Sequence, residues 1–311
     1  MPSLTECLDI LEGKVELWPW LEEARRVRER HFGLWVETCA IVNAKSGLCP
    51  SDCKFCAQSK AWTTKVKIYP LLSEEDLLTK VALAAQSGID RFSFVTSGIS
   101  LSQKELKLLI KVIEKAKNLY PQVELCASLG QLKEDALKAL KEAGLSRYHH
   151  NLETAASFYP QICTKQDWKA RYETAWRVKE VGLSLCCGGI FGLGETPKHV
   201  LELAEALQNL EPDSVPINFL HPIPGTPLEG AHFLTPMQCL RILTVFRLLL
   251  PQVAIRVCGG REYNLRDLQA LALLPANALM VGHYLTTRGR ELAHDYQMIL
   301  DLGYQSHLRP D

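Results

Sequence analysis

The stretch Gly47-Leu-Cys-Pro-Ser-Asp-Cys-Lys-Phe-Cys-Ala-Gln-Ser59 packs three thiols, Cys49, Cys53 and Cys56, into the spacing C-x-x-x-C-x-x-C. It follows an apolar run, Thr38 to Val42, that reads as a β-strand. Thiolates this close in sequence can hold one soft metal centre between them. Three ligands suit a cubane [4Fe–4S] cluster with one iron left open. A structural zinc site takes four protein ligands, and no second Cys-x-x-Cys pair or Cys/His knuckle stands nearby. The competing reading, three unrelated buried cysteines, fits this spacing poorly.

Outward from this loop, strands and helices alternate. Candidate strands are Val36–Asn43, Arg91–Ser97, Val123–Ser128, Arg147–Glu153, Leu183–Phe191, Ser214–Leu220, Ala254–Gly259 and Ala278–Leu285. Helical patterns fall between them at Glu74–Ser87, Gln103–Leu119, Lys133–Ala143, Trp168–Val181, Pro197–Leu210, Pro236–Leu250 and Leu265–Leu273. Gly88, Gly144 and Gly182 stand where helix C-caps are expected. Eight strands in this alternation predict an α/β fold, a closed (β/α)8 TIM-type barrel. The expected organisation is one domain over 1–311: N-terminal helices over 1–35, the barrel over 36–290, and a C-terminal helix and tail over 291–311. Such barrels gather their site at the C-terminal strand ends, so the cysteine loop after the first strand belongs at that mouth.

Composition narrows the function classes. Thirty-five Lys and Arg balance 35 Asp and Glu, so no basic field favours nucleic acid. No apolar run approaches the ~18 residues a membrane span needs, and Met1 to Glu12 lacks a signal-peptide pattern. Eleven cysteines without an export signal argue for thiols kept reduced in a cytosol, for metal or redox use.

A second constellation lies on strands whose inward residues should be aliphatic. Cys126, Cys186, Cys187, Arg256 and Cys258 interrupt them. Alternation puts Arg256 and Cys258 on one face and separates Cys186 from Cys187. An arginine turned into a barrel needs an anionic partner, and a thiolate-ligated cluster would be one.

The cysteine run resembles the signature of the radical S-adenosylmethionine (SAM) superfamily, in which an aromatic residue commonly precedes the last cysteine, as Phe55 does here. Further segments resemble the biotin synthase family, in that family's order: His150-Asn-Leu-Glu-Thr154, Cys187-Gly-Gly-Ile-Phe-Gly-Leu-Gly-Glu-Thr196, Ser214-Val-Pro-Ile-Asn-Phe-Leu220, Gly225-Thr-Pro-Leu228, Gly260-Arg-Glu262 and Tyr284-Leu-Thr-Thr287. The resemblance implies a radical SAM sulfurtransferase that inserts sulfur into dethiobiotin. It also implies a SAM-binding [4Fe–4S] cluster, an auxiliary [2Fe–2S]-type cluster as sulfur donor, a flavodoxin- or ferredoxin-type electron donor and a homodimer. Residue by residue, it implies that Cys49, Cys53 and Cys56 bind the first cluster. Gly188, Gly189, Gly192 and Gly194 would bring backbone close to SAM. Arg171 would meet the SAM carboxylate, and Asn151, Glu153 and Asn218 would contact SAM or dethiobiotin. Cys126, Cys186 and Arg256 match positions that ligate the auxiliary cluster.

The match breaks at Ser93, where the family's auxiliary site has a third cysteine. A serine hydroxyl is a poor ligand for a soft iron–sulfide centre. Cys258, sharing a face with Arg256, is the expected replacement; Cys187 is the weaker candidate by face parity. His149 and Glu153 depart from the family's usual amide and aspartate, which touches substrate choice. Two other readings stay open on sequence alone. One is a related radical SAM enzyme with another substrate or no sulfur insertion; the other is a non-enzymatic iron–sulfur or zinc protein.

Overall fold

A computed structural model describes residues 2–310; Met1 and Asp311, the ends of the expected domain, lie outside the described residues. Two helices precede the barrel, α1 (Leu4–Glu12) and α2 (Trp18–Phe32). Ser3 and Glu6 close a capping box on α1, satisfying amides that have no partner within the helix. Arg28 of α2 is fully buried, yet its guanidinium donates to the carbonyls of Gly33, Trp35 and Ala276 and lies over the Tyr304 ring. These helices pack on α8 (Pro197–Leu210) and α9 (Pro236–Leu249).

The strands are β1 (Glu37–Lys45), β2 (Arg91–Thr96), β3 (Glu124–Ser128), β4 (Arg147–His149), β5 (Ser184–Cys186), β6 (Gly189–Phe191), β7 (Ser214–Phe219), β8 (Ala254–Val257) and β9 (Ala278–Met280). All pair in parallel, in the order β5-β4-β3-β2-β1-β9-β8-β7-β6, and a β5–β7 pairing closes the ring. The expected barrel is therefore present. Its fifth strand, expected unbroken over 183–191, splits at Cys187-Gly188 into β5 and β6. A Cβ on Gly188 would stand 2.2 Å from the Pro216 carbonyl oxygen, so the chain steps over β7 only where it has no side chain.

The intervening helices are α3 (Glu74–Gln86), α4 (Gln103–Leu119), α5 (Glu134–Glu142), a short α6 (Tyr159–Ile162), α7 (Trp168–Glu180), α8 and α9. Gly88, Gly144 and Gly182 all take positive φ after their helices, as expected of C-caps. The helical pattern expected over 265–273 resolves into α10 (Arg261–Leu265) and a 3-10 stretch, Arg266–Leu273. α11 (Leu292–Asp301) follows the barrel, and the chain returns so that Trp35 bridges to Gln305. The apolar core lies between strands and helices, where Leu77, Val112, Leu137, Leu207 and Phe246 are fully buried. Among the described residues, no helix is long and apolar enough to cross a membrane.

Candidate active site

The interior of the barrel is charged at its base. Glu37 starts β1, and three arginines from three other strands converge on it. Arg91 Nε lies 2.9 Å and Arg147 Nη1 3.7 Å from its carboxylate, and Arg256 Nη2 donates to Oε1. Burial opposes ionisation of Glu37, but Arg256, Arg91 and Arg147 outweigh it and hold its pKa at about 2. Three guanidinium groups against one carboxylate leave the base electropositive. Arg147 Nη1 and Arg256 Nη1 are buried without a hydrogen-bond partner. Glu37→Gln, removing the only compensating charge of this group, is expected to cost about 3 kcal/mol of stability, read as a lowered Tm. The penalty is full above the ordinary carboxylate range. It fades as pH falls toward 2, where the wild-type carboxylate is itself protonated.

Above this base lies a chamber of about 350 Å³. Cys126, Cys186, Arg256 and Cys258 all line it, as does Ser93. The register pairs Ser93 with Cys126, so the hydroxyl stands beside that thiol. Cys186 Sγ is 3.3 Å from His149 Nδ1. Burial drops the His149 pKa to about 4, so the imidazole is neutral at pH 7. Face parity holds: Cys186 faces the chamber, whereas Cys187 is fully buried in the apolar core outside the barrel. Cys39, read in the sequence only as part of an apolar strand, also lines the chamber.

A second cavity, of about 150 Å³, adjoins the first. Cys49, Cys53 and Cys56 line it, and Phe55, Cys56, Gln58, His149, Asn151 and Glu153 line both. Gly47 (φ 79°) and Leu48 (φ 54°) turn the chain out of β1 into the cysteine loop. The loop is closed by Cys49 N–H to the Gln58 carbonyl at 2.9 Å, Lys60 N–H to the Cys49 carbonyl at 2.9 Å, and Trp62 Nε1 to the Cys53 carbonyl at 3.0 Å. A partner invisible to sequence spacing backs it. Cys163, after α6, is buried beside Cys53, and the Ser51 hydroxyl lies 3.3 Å from both sulfurs. Asp52 accepts from the backbone of Thr164 and Lys165, tying the loop to that segment.

Arg171 is not on an exposed helix face. It is 9% exposed, donating to Tyr159 Oη and the Asn151 carbonyl at 2.9 Å each, with Nη2 3.4 Å from Glu153 Oε1. Asn151 accepts from Gly188 N–H, and Asn218 bridges Gly189 and Gly259, so part of each amide's capacity serves the backbone. Asn218 still lines the larger chamber. Of the glycine run, Ile190 lines the chamber, whereas Gly188, Gly189, Gly192 and Gly194 line neither cavity. Gly189 is required by packing: a Cβ there would meet the Glu153 carbonyl oxygen at 2.5 Å.

The two adjoining cavities carry charged and amide side chains that can meet polar or anionic guests. No three His, Cys, Asp or Glu side chains among the described residues converge as a single metal ion requires. A polynuclear cluster makes no such demand, since each iron takes its own thiolate. The fit is supported by the orphan donors Arg147 Nη1 and Arg256 Nη1 around the first chamber, and by His150 Nε2, buried without a partner beside the second.

Comparison with known proteins extends this. A profile of the Radical SAM superfamily matches residues 45–207, and one of the Biotin and Thiamin Synthesis associated domain matches 216–305. The chain is 47% identical over 282 residues to a biotin synthase of Geobacter sulfurreducens, covering 90% of this chain and 85% of that one. It is 43% identical over 302 residues to one of Aquifex aeolicus, covering 96% and 91%. Among solved structures, methylornithine synthase (PylB) superposes with a TM-score of 0.80 at 19% identity, covering 96% of each chain. The FeFe-hydrogenase maturase HydG from Carboxydothermus hydrogenoformans does so at 0.83 and 19%, covering 97% of this chain and 75% of that one. At that identity the likeness concerns the fold.

Proposed function

The chain belongs to the biotin synthase family of radical SAM sulfurtransferases, and on that premise we propose how its residues divide the work. The family acts on dethiobiotin and SAM and carries a SAM-binding [4Fe–4S] cluster. When bound, that cluster supplies the electron that cleaves SAM to a 5′-deoxyadenosyl radical, and an auxiliary iron–sulfur cluster supplies the sulfur. Cys49, Cys53 and Cys56 hold the first cluster. Arg171, fixed by Tyr159 and the Asn151 carbonyl, presents its charge to the SAM carboxylate; Glu153 and Asn151 orient the rest of SAM, with Phe55 at the shared wall. Gly188 and Gly189 allow the close backbone packing that seats this wall, and Gly192 and Gly194 take the positive φ of the turn that follows. Asn218, already oriented by two backbone bonds, turns its remaining amide capacity to the cyclic urea of dethiobiotin.

Cys126, Cys186 and Cys258 hold the auxiliary cluster above the arginine base. Arg256 is a cation paired with Glu37; a guanidinium has donors and no free lone pair, so it hydrogen-bonds beside the cluster. The barrel keeps water from the reacting carbon. We assign the whole chain to one functional unit, taking electrons from a flavodoxin- or ferredoxin-type donor and working as a homodimer in the cytoplasm.

The observation that carries this reading is the shared wall: the thiols for two clusters line adjoining cavities with common wall residues, so SAM at one and dethiobiotin at the other would lie side by side. The test is anaerobic incubation of the reconstituted protein with SAM, a strong reductant and dethiobiotin. Biotin and 5′-deoxyadenosine together are expected; 5′-deoxyadenosine with neither biotin nor a thiolated intermediate would assign another substrate. For Cys258, the expected result of Cys258→Ala is loss of auxiliary iron, and full retention would remove it from the ligand set.

A further inference from the structure

Ser93 leaves β2 without the thiol that the family pattern has there, and a residue two steps lower on the neighbouring strand faces the same chamber. Ile41 of β1 is the register partner of Ser93, and Cys39 precedes it by two, on the same face. Both residues line the chamber.

Buried cysteines are ordinarily small apolar fillers, and this chain contains some. Cys7, Cys187 and Cys239 belong to the continuous apolar core. Cys39 does not, although Val42 and Ala44 on the other face of its strand do, and neither do Cys126, Cys186 or Cys258. These four cysteines are instead gathered on one chamber, from β1, β3, β5 and the residue after β8. Cys39 lies within charge–charge range of each of the other three and of Arg256. Its Sγ has one long contact, 3.7 Å to the Ala40 carbonyl. A thiol in an arginine-lined chamber, outside the apolar packing and without a strong partner, is placed to bind something.

We propose that Cys39 is a ligand of the auxiliary cluster, a fourth thiol that completes a four-cysteine set with Cys126, Cys186 and Cys258. The assignment rests on the reading that a sulfur-donating cluster occupies this chamber. Ligation is not a redox step: each thiol gives up its proton as its sulfur binds iron. The ligand-set charge falls where Arg147 Nη1 and Arg256 Nη1 lack hydrogen-bond partners, so the electropositive base and the thiolates neutralise one another.

The test separates the assignment from the reading beneath it. A Cys49→Ala/Cys53→Ala/Cys56→Ala parent lacks the first cluster's thiols, so its remaining iron reports on the chamber. After anaerobic reconstitution, iron and sulfide per chain are measured with the visible and Mössbauer spectra, and circular dichroism monitors the fold. The parent is expected to retain a cluster, Cys39→Ala in that parent to lose it, and adding Ser93→Cys to restore it on the neighbouring strand. A Cys39→Ala variant with unchanged iron and spectra overturns the assignment while leaving the chamber reading intact. So does failure of Ser93→Cys to bring iron back, since the loss would then be structural. A parent without iron overturns the chamber reading, and the ligand with it.

Discussion

Cys49→Ala is expected to abolish SAM cleavage, lowering anaerobic 5′-deoxyadenosine release by at least about 10³-fold, to the background of the reductant. The loop's geometry explains why one thiol matters so much. Cys49, Cys53 and Cys56 line one small cavity at the end of β1, and backbone bonds on both sides of Cys49 fix where its sulfur points. Two remaining thiolates cannot define the position of a four-iron centre, and no other cysteine lines that cavity to replace the third. Cys163 is near, but it stands behind Cys53, held by Ser51 and Asp52, and does not face the cavity. Residues that act as a unit are not additive, so the triple Cys→Ala variant should be no slower than Cys49→Ala alone. Mass spectrometry of 5′-deoxyadenosine beside iron content checks both. Appreciable cleavage by Cys49→Ala would remove it from the site.

What the sequence disclosed and what it hid divide along the range of the interactions. The barrel was legible because its signals are local: apolar runs of strand length, amphipathic helices, and Gly88, Gly144 and Gly182 at helix ends. The cysteine loop was legible for the same reason, as three thiols in one short segment. Glu37 was not, because Arg91, Arg147 and Arg256 meet it only once four strands close into a ring. Cys39 was hidden by its company. In an apolar strand a cysteine reads as a small hydrophobe, and the only signal against that reading is which neighbours it has in space. The break between β5 and β6 arises from the Pro216 carbonyl, a contact between strands far apart in the chain. Arg171 belongs here too: its burial comes from Tyr159 and Asn151, which draw it inward and lie outside its own helix.

Cys186 and Cys187 turn this spatial distinction into the sharper experiment, because adjacent thiols are expected to fail differently. Cys186→Ala should keep SAM cleavage within about tenfold of wild type while biotin formation disappears, a split between two products of one enzyme. Cys186 lines the larger chamber and not the cavity of the cysteine loop, so its loss leaves the SAM side intact. It removes a thiol held 3.3 Å from His149, above the arginine base, in the chamber proposed to present sulfur to the substrate. Cys187→Ala should retain both products and cost only about 1 kcal/mol of stability, since Cys187 is packed outside the barrel among aliphatic side chains. Chain position, residue type and substitution are matched in the pair; only the strand face differs. Equal loss of biotin in both variants would mean that the β5–β6 break matters through its backbone rather than through the thiol it aims inward. Loss from Cys186→Ala alone would tie sulfur transfer to the chamber face of β5.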